Sequence, residues 1–184
     1  MPQKNWFDLL PLTPQETTAD ASLTSAHMAD TEVAITHLQR RKIEGRVLIP
    51  FIETLREKLG ENTMREVLDA TIRKLAAKDG AAWAEAYGRS TASLRKVAQE
   101  VWAGGGAQEV QVVSESDDHL EFNVIRCQYA EFYKELGLAD IGYHVHCNRD
   151  HTMVAGFNGE LELSRTQTIM EGAACCDFRF RKKA

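Results

Sequence analysis

The hydrophobic pattern of the chain changes period once, at Gly104-Gly105-Gly106, and that change decides its fold class. Apolar residues spaced three and four apart line one face of a helix, whereas alternation lines one face of a strand. From Asp30 to Leu59 the spacing of Val33, Leu38, Ile43, Val47, Leu48, Phe51, Ile52, Leu55 and Leu59 predicts a long helix ended by Gly60. Pro50 removes an intrahelical hydrogen bond, so a kink or break is expected near Leu48-Ile49. A second helix is predicted from Asn62 to about Lys78 and a third from about Ala81 to Trp102. After the glycines, Val110, Val112 and Val113 begin a strand, Ser116-Asp117-Asp118-His119 has turn chemistry, and Leu120 to Cys127 returns as a hairpin. Helical stretches are expected over 129–136 and 140–153, then a strand over 160–170, a turn at Glu171-Gly172-Ala173-Ala174, and a last strand from Cys175 to Arg181. The sum is an α+β fold: a helical N-terminal half packed on a four-stranded, mostly antiparallel sheet with a helical insertion.

The chain of 184 residues suits one domain, read here as 29–184, preceded by an arm over 1–28. In the arm, Thr13-Pro14-Gln15-Glu16 has the form of a helix start, and Trp6 and Phe7 could pack on the domain or on a second subunit; a mobile tail is the alternative. Long helices and such an arm would also suit a homo-oligomer. A net charge of −5 with basic residues scattered among acids argues against nucleic acid or an anionic membrane as partner. With no long apolar run and no signal-peptide pattern at Met1-Pro2-Gln3-Lys4, a cytoplasmic location is expected. Cys127, Cys147, Cys175 and Cys176 are then read as free thiols.

Strand parity places the polar residues of interest. Leu120, Phe122 and Val124 mark the core face of the second strand, and Arg126 is next in that parity. Leu161 and Leu163 lead likewise to Arg165, and Phe178 and Phe180 lead back to Cys176. Buried guanidiniums need carboxylates, from Glu131, Glu135, Asp150, Glu171, Asp177 or Glu44 in the chain, or from a ligand acid held by a bidentate fork. Positive charge near Cys176 would lower its pKa. His144, His146, Cys147, Asp150 and His151 lie within eight residues, with His146 and Asp150 at helical i, i+4 spacing, but no CxxC or HExxH pattern accompanies them. Neither a metal nor a cofactor is therefore expected. His146 or Asp150 would instead activate water or touch substrate. Dinucleotide, P-loop and GxSxG patterns are absent from the sequence.

Five segments in order carry a family likeness: Arg40-Arg41-Lys42-Ile43-Glu44, Glu121 to Phe132, Cys147-Asn148-Arg149-Asp150, Arg165 to Gly172, and Cys176-Asp177-Phe178. Together they resemble the L-2-amino-thiazoline-4-carboxylic acid hydrolase family over about residues 30 to 181. The resemblance implies that water opens a thiazoline ring to give N-carbamoyl-L-cysteine, within a reaction type of hydrolysis at a carbon–nitrogen bond of a small carboxylated cyclic amidine or amide. On that reading Cys176 or Cys127 is the nucleophile, unless water is, and Asp177, His146 or Asp150 manages protons. Arg126 and Arg165 hold the substrate carboxylate, and Glu131 and Thr166, in the same segments, complete the binding set. A remoter likeness, to small-molecule-binding domains related to vinyl reductases, fits the alternative of a non-catalytic binding or sensor domain.

Overall fold

The computed structural model describes residues 35–183, so the predicted arm and the first turns of the first predicted helix lie outside the described residues. Helix α1 runs from His37 to Leu59 and starts at a capping box: Gln39 N–H donates to Thr36 Oγ1 at 3.1 Å, and Thr36 N–H donates to Gln39 Oε1 at 2.8 Å. It continues through Pro50 without the expected break. Pro50 is on the exposed side, where water can take up the carbonyl its missing N–H leaves free. The buried face is Leu38, Arg41, Gly45, Ile49 and Ile52, whereas Ile43, Val47 and Phe51, expected inside, are 52%, 71% and 61% exposed. Two polar or small residues thus occupy core positions that a purely apolar reading passes over.

The second and third predicted helices divide elsewhere than expected. Helix α2 is continuous from Glu61 to Tyr87, straight through Gly80, and ends at Gly88, whose φ of +91° is open to glycine and costly for other residues. Gly80 is there for contact. A Cβ at 80 would sit 2.1 Å from the Met153 carbonyl oxygen, and one at Gly156 would sit 2.3 Å from the Ala77 carbonyl oxygen. Helix α2 and helix α6, Asp150–Phe157, therefore meet backbone to backbone, which fixes where the residues at the start of α6 stand. Ser90 caps helix α3, Thr91–Lys96, which passes into a π-helical turn, Val97–Trp102.

Strands β1, Gln108–Glu115, β2, His119–Cys127, β3, Leu161–Ser164, and β4, Cys176–Lys182, form an antiparallel sheet in the order β1-β2-β4-β3. Between β2 and β3 the insertion holds helix α4, Gln128–Glu135, helix α5, Ala139–Gly142, a π-helical turn, Tyr143–Cys147, and α6. The helix expected over 140–153 is thus three pieces. The inner sheet face, Leu120, Phe122, Val124, Leu161, Leu163, Cys176, Phe178 and Phe180, packs on Ala76, Ala84, Leu94, Val97, Met153, Val154 and Phe157 of the helical layer. Among the described residues no helix is long and apolar enough to cross a membrane.

Two local irregularities correct the parity argument. Glu109 faces Arg126 but Val110 faces Val124, so Ile125 is an extra, unpaired residue. Such a bulge inverts the alternation beyond it. Ile125 and Arg126 both point outward, and Cys127 takes the inner position expected for Arg126. The third strand ends at Ser164 rather than near Met170, because the Asp177 carboxylate accepts from the N–H groups of Thr166 and Gln167 at 3.0 and 2.9 Å and draws the chain out of the ladder.

Candidate active site

A cavity of about 70 Å³ opens between the inner sheet face and the helical layer, several times the roughly 10–15 Å³ a single water needs. Trp83, Trp102, Met153, Met170 and Phe178 give it apolar walls. Its polar wall combines α1, which contributes His37 and Arg41, with the irregular stretch that brings His146, Cys147, Arg149 and Asp150. Arg165, just past β3, and the thiols Cys127 and Cys176 complete it. The π-helical turn before α6 matters here. It presents two successive residues, His146 and Cys147, to the cavity, and π-turns inside helices recur at functional sites.

Arg165 has a side chain 3% exposed and three partners: Nη1 donates to Asp150 Oδ2 at 2.5 Å, Nη2 donates to the Cys147 carbonyl at 2.9 Å, and the guanidinium lies 5.2 Å from the centre of the Phe178 ring. Burial raises the pKa of Asp150 even with Arg165 and Arg149 pulling it down. A carboxylate so tuned can both take and return a proton. His146 is clamped between the rings of Tyr129 and Tyr133, at centroid distances of 5.4 and 5.2 Å, and burial holds it neutral, well below the ordinary histidine value.

A directed chain of hydrogen bonds backs the α1 side of the polar wall. Arg41 Nε–H can only donate, and donates to His37 Nε2 at 3.3 Å, so the His37 proton is on Nδ1. Nδ1–H then donates to the Tyr129 hydroxyl at 2.9 Å, which donates to the Trp102 carbonyl at 3.0 Å. Burial, then the charge of Arg41, lowers the His37 pKa from 6.5 to about 3. The unfolded chain therefore binds a proton at His37 near pH 6.5 and the folded chain only near pH 3. Between those values the unfolded state holds more protons, so stability falls as pH falls, by up to about 1.4 kcal/mol per pH unit from this group. His146 acts with the same sign. Chemical denaturation between pH 7 and pH 4 is expected to show this slope, and His37→Gln to reduce it.

Arg41 and Arg149 converge on one oxygen, Asp79 Oδ2, with Arg41 also bonding Glu44 Oε2 at 2.7 Å. The thiols are not activated. Burial pushes Cys176 up to about 11, with its Sγ accepting from Ile169 N–H at 3.2 Å, and burial also raises Cys127 and, more strongly, Cys147. The expected lowering of the Cys176 pKa by nearby charge is thus reversed: Arg165 pulls down, and desolvation outweighs it.

Of the residues singled out from sequence, the cavity gathers Cys176, Cys127, His146, Asp150 and Arg165. Four others lie away from it. Arg126 forks onto Glu131 at 2.8 and 3.2 Å on the outer surface, so these two satisfy each other. Thr166 Oγ1 donates to Asp177 Oδ2 at 2.7 Å, and both serve the turn after β3. Burial raises the Asp177 pKa, but the hydrogen bonds from Thr166 and Gln167 outweigh it and the net shift is downward. His144 bonds Asp69 on α2 at 2.8 Å and so leaves the histidine cluster, and among the described residues no group of three or more His, Cys, Asp or Glu is arranged to hold a metal. Sequence reasoning passed over Arg41 and Arg149 as site residues, although both stand in segments that carry the family likeness, and it passed over His37 and Tyr129.

A sequence model of the L-2-amino-thiazoline-4-carboxylic acid hydrolase family matches residues 40–180. The chain belongs to that family. The matched span contains every polar cavity residue named above except His37, so in this hydrolase-family member the cavity and the family pattern coincide. No curated protein matches the sequence significantly. Among solved structures, the phenol-responsive sensory domain of the transcription activator PoxR, crystallised with phenol, aligns at a TM-score of 0.50 and 11% identity over 74% of this chain and 73% of that one. A trafficking protein particle complex subunit 3 from Naegleria fowleri, covalently bound to palmitic acid, aligns at 0.50 and 10% identity over 80% and 97%. At such identities the likeness is one of fold.

Proposed function

We propose that this family member uses the cavity to open the ring of a small carboxylated cyclic amidine, of the 2-amino-thiazoline-4-carboxylate type, by adding water to the amidine carbon. The observation that carries this reading is the buried Asp150–Arg165 pair on the cavity wall. Asp150 Oδ2 is held by Arg165, while Oδ1 accepts no hydrogen bond among the described residues. That oxygen is available to take a proton from water as its oxygen attacks C2. The proton passes to the ring nitrogen. The new hydroxyl then loses its proton as the C2–sulfur bond breaks, and sulfur leaves as a thiol. Both nitrogens stay on C2 as a ureido group, so for a thiazoline the bond cleaved is carbon–sulfur rather than carbon–nitrogen. Neutral His146 has a ring N–H to offer the oxygen on which charge develops.

Water is a better nucleophile here than a cysteine. A thiol with a pKa of about 11 is almost wholly protonated at neutral pH. Cys176→Ser is therefore expected to keep kcat within about tenfold, and a loss of a thousandfold or more would return the sulfur to the role of nucleophile.

Protonated thiols also favour a second reading, a binding domain without turnover, and two proteins of this fold carry small molecules in their crystals. Incubation with 2-amino-thiazoline-4-carboxylate separates the two. Hydrolysis gives a product heavier by one water, with one free thiol per molecule. Saturable binding with unchanged mass after long incubation would leave the binding domain.

A further inference from the structure

The hydrolase reading leaves open which group holds the substrate's carboxylate, and the three buried arginines of the cavity differ in what they have left to give. Arg165 is committed to Asp150, to the Cys147 carbonyl and to the Phe178 ring. Arg41 has donors on His37, Glu44 and Asp79. Arg149 is 7% exposed and, among the described residues, makes one side-chain hydrogen bond, to the same Asp79 oxygen that Arg41 uses. A guanidinium has five N–H donors, so four of those on Arg149, which lines the cavity, have no partner among the described residues.

Charge leads to the same place. Two buried guanidiniums share one carboxylate; of the other acids nearby, Glu44 has a side chain 41% exposed and touches only Arg41 of the two, and Asp150 is paired with Arg165. His37 beside them adds no further charge, since its tautomer is fixed by Arg41 on one side and Tyr129 on the other. Burial and the charge of Arg41 lower the Arg149 pKa, a direction that an incoming anion would reverse.

We infer that Arg149, seconded by Arg41, is the anion subsite of the cavity and takes a single carboxylate of the substrate through a bidentate fork. Arg41 is a positioning residue in this arrangement, held by Asp79 and by the chain through His37 and Tyr129 to the Trp102 carbonyl. The inference deepens the hydrolase reading but concerns binding alone, so the two can fail separately.

Calorimetric titration of the full chain with 2-amino-thiazoline-4-carboxylate and with 2-amino-thiazoline, which lacks the carboxylate, provides the test. Wild type should prefer the acid. Arg149→Gln should bind the acid about 100-fold more weakly, the effect of two lost charge-assisted hydrogen bonds, and the ring without a carboxylate within about threefold of wild type. Asp79 keeps Arg41 as partner in that variant, and a thermal melt checks the fold. Arg149→Lys, with charge but no fork, should fall between. The proposal is overturned if Arg149→Gln binds the acid as wild type does, if it loses both ligands equally, or if wild type does not prefer the acid. Tight, carboxylate-dependent binding without product would sustain the subsite and remove the hydrolase.

Discussion

Asp150→Asn is expected to lower kcat on the thiazoline acid by about 10²- to 10⁴-fold, the usual contribution of a positioned general base, while affinity for the acid changes only a few fold. Asparagine has nearly the same volume, and its side-chain oxygen can still accept from Arg165. It cannot take the proton of water. Arg165 loses its charged partner, and removing one member of a buried pair costs about 3–5 kcal/mol when nothing replaces it. Here the Cys147 carbonyl and the new amide remain, so the cost should fall at or below the low end of that range. Steady-state kinetics with a parallel melt separate the two effects. The raised pKa of Asp150 adds a signature in the wild type: kcat/KM should decline on acidification at a higher pH than an ordinary aspartate would give. Retained turnover in Asp150→Asn would place the base elsewhere, with His146 the next group on the wall.

The largest effect on stability is expected from Gly80→Ala. Alanine normally improves a helix interior by about 1 kcal/mol over glycine. At 80 its Cβ would lie 2.1 Å from a backbone oxygen of α6, an atom that no rotamer change can move aside. The helices must separate, which loosens Met153, Val154 and Phe157 in the core and shifts Asp150 at the head of α6. A net loss of roughly 3 kcal/mol or more is expected, at the upper end of overpacking costs, which for a chain of this size lowers Tm by about 6–12 °C. Gly156→Ala, on the other side of the contact, should behave alike, whereas an alanine at Gly159, which meets nothing within 4 Å, should not. Equal melts for all three would mean that α2 and α6 do not meet as described.

The change of period at the glycine triplet was enough to read a helical layer followed by strands, because burial of one face imposes that pattern directly. What it could not carry was any feature that breaks periodicity. One bulged residue, Ile125, exchanges Arg126 for Cys127 on the inner face, and nothing in the alternation of β2 announces it. Gly80 falls in the gap left between two predicted helices, because its reason for being there is on another helix, more than seventy residues further on. Arg41 and Arg149 sit at positions where a core-facing helix reading expects apolar side chains, so periodicity hides them, and only their place in the family segments pointed toward them. Arg165, by contrast, followed from parity, since no bulge intervenes in the short β3.

The most direct test of the cavity as the catalytic site is a crystal structure of Asp150→Asn with 2-amino-thiazoline-4-carboxylate bound. The account predicts the carboxylate on Arg149, the ring between the aromatic wall and His146, and C2 turned toward residue 150. A ligand bound outside the cavity, or inside it with its carboxylate away from Arg149 and C2 away from residue 150, would contradict it.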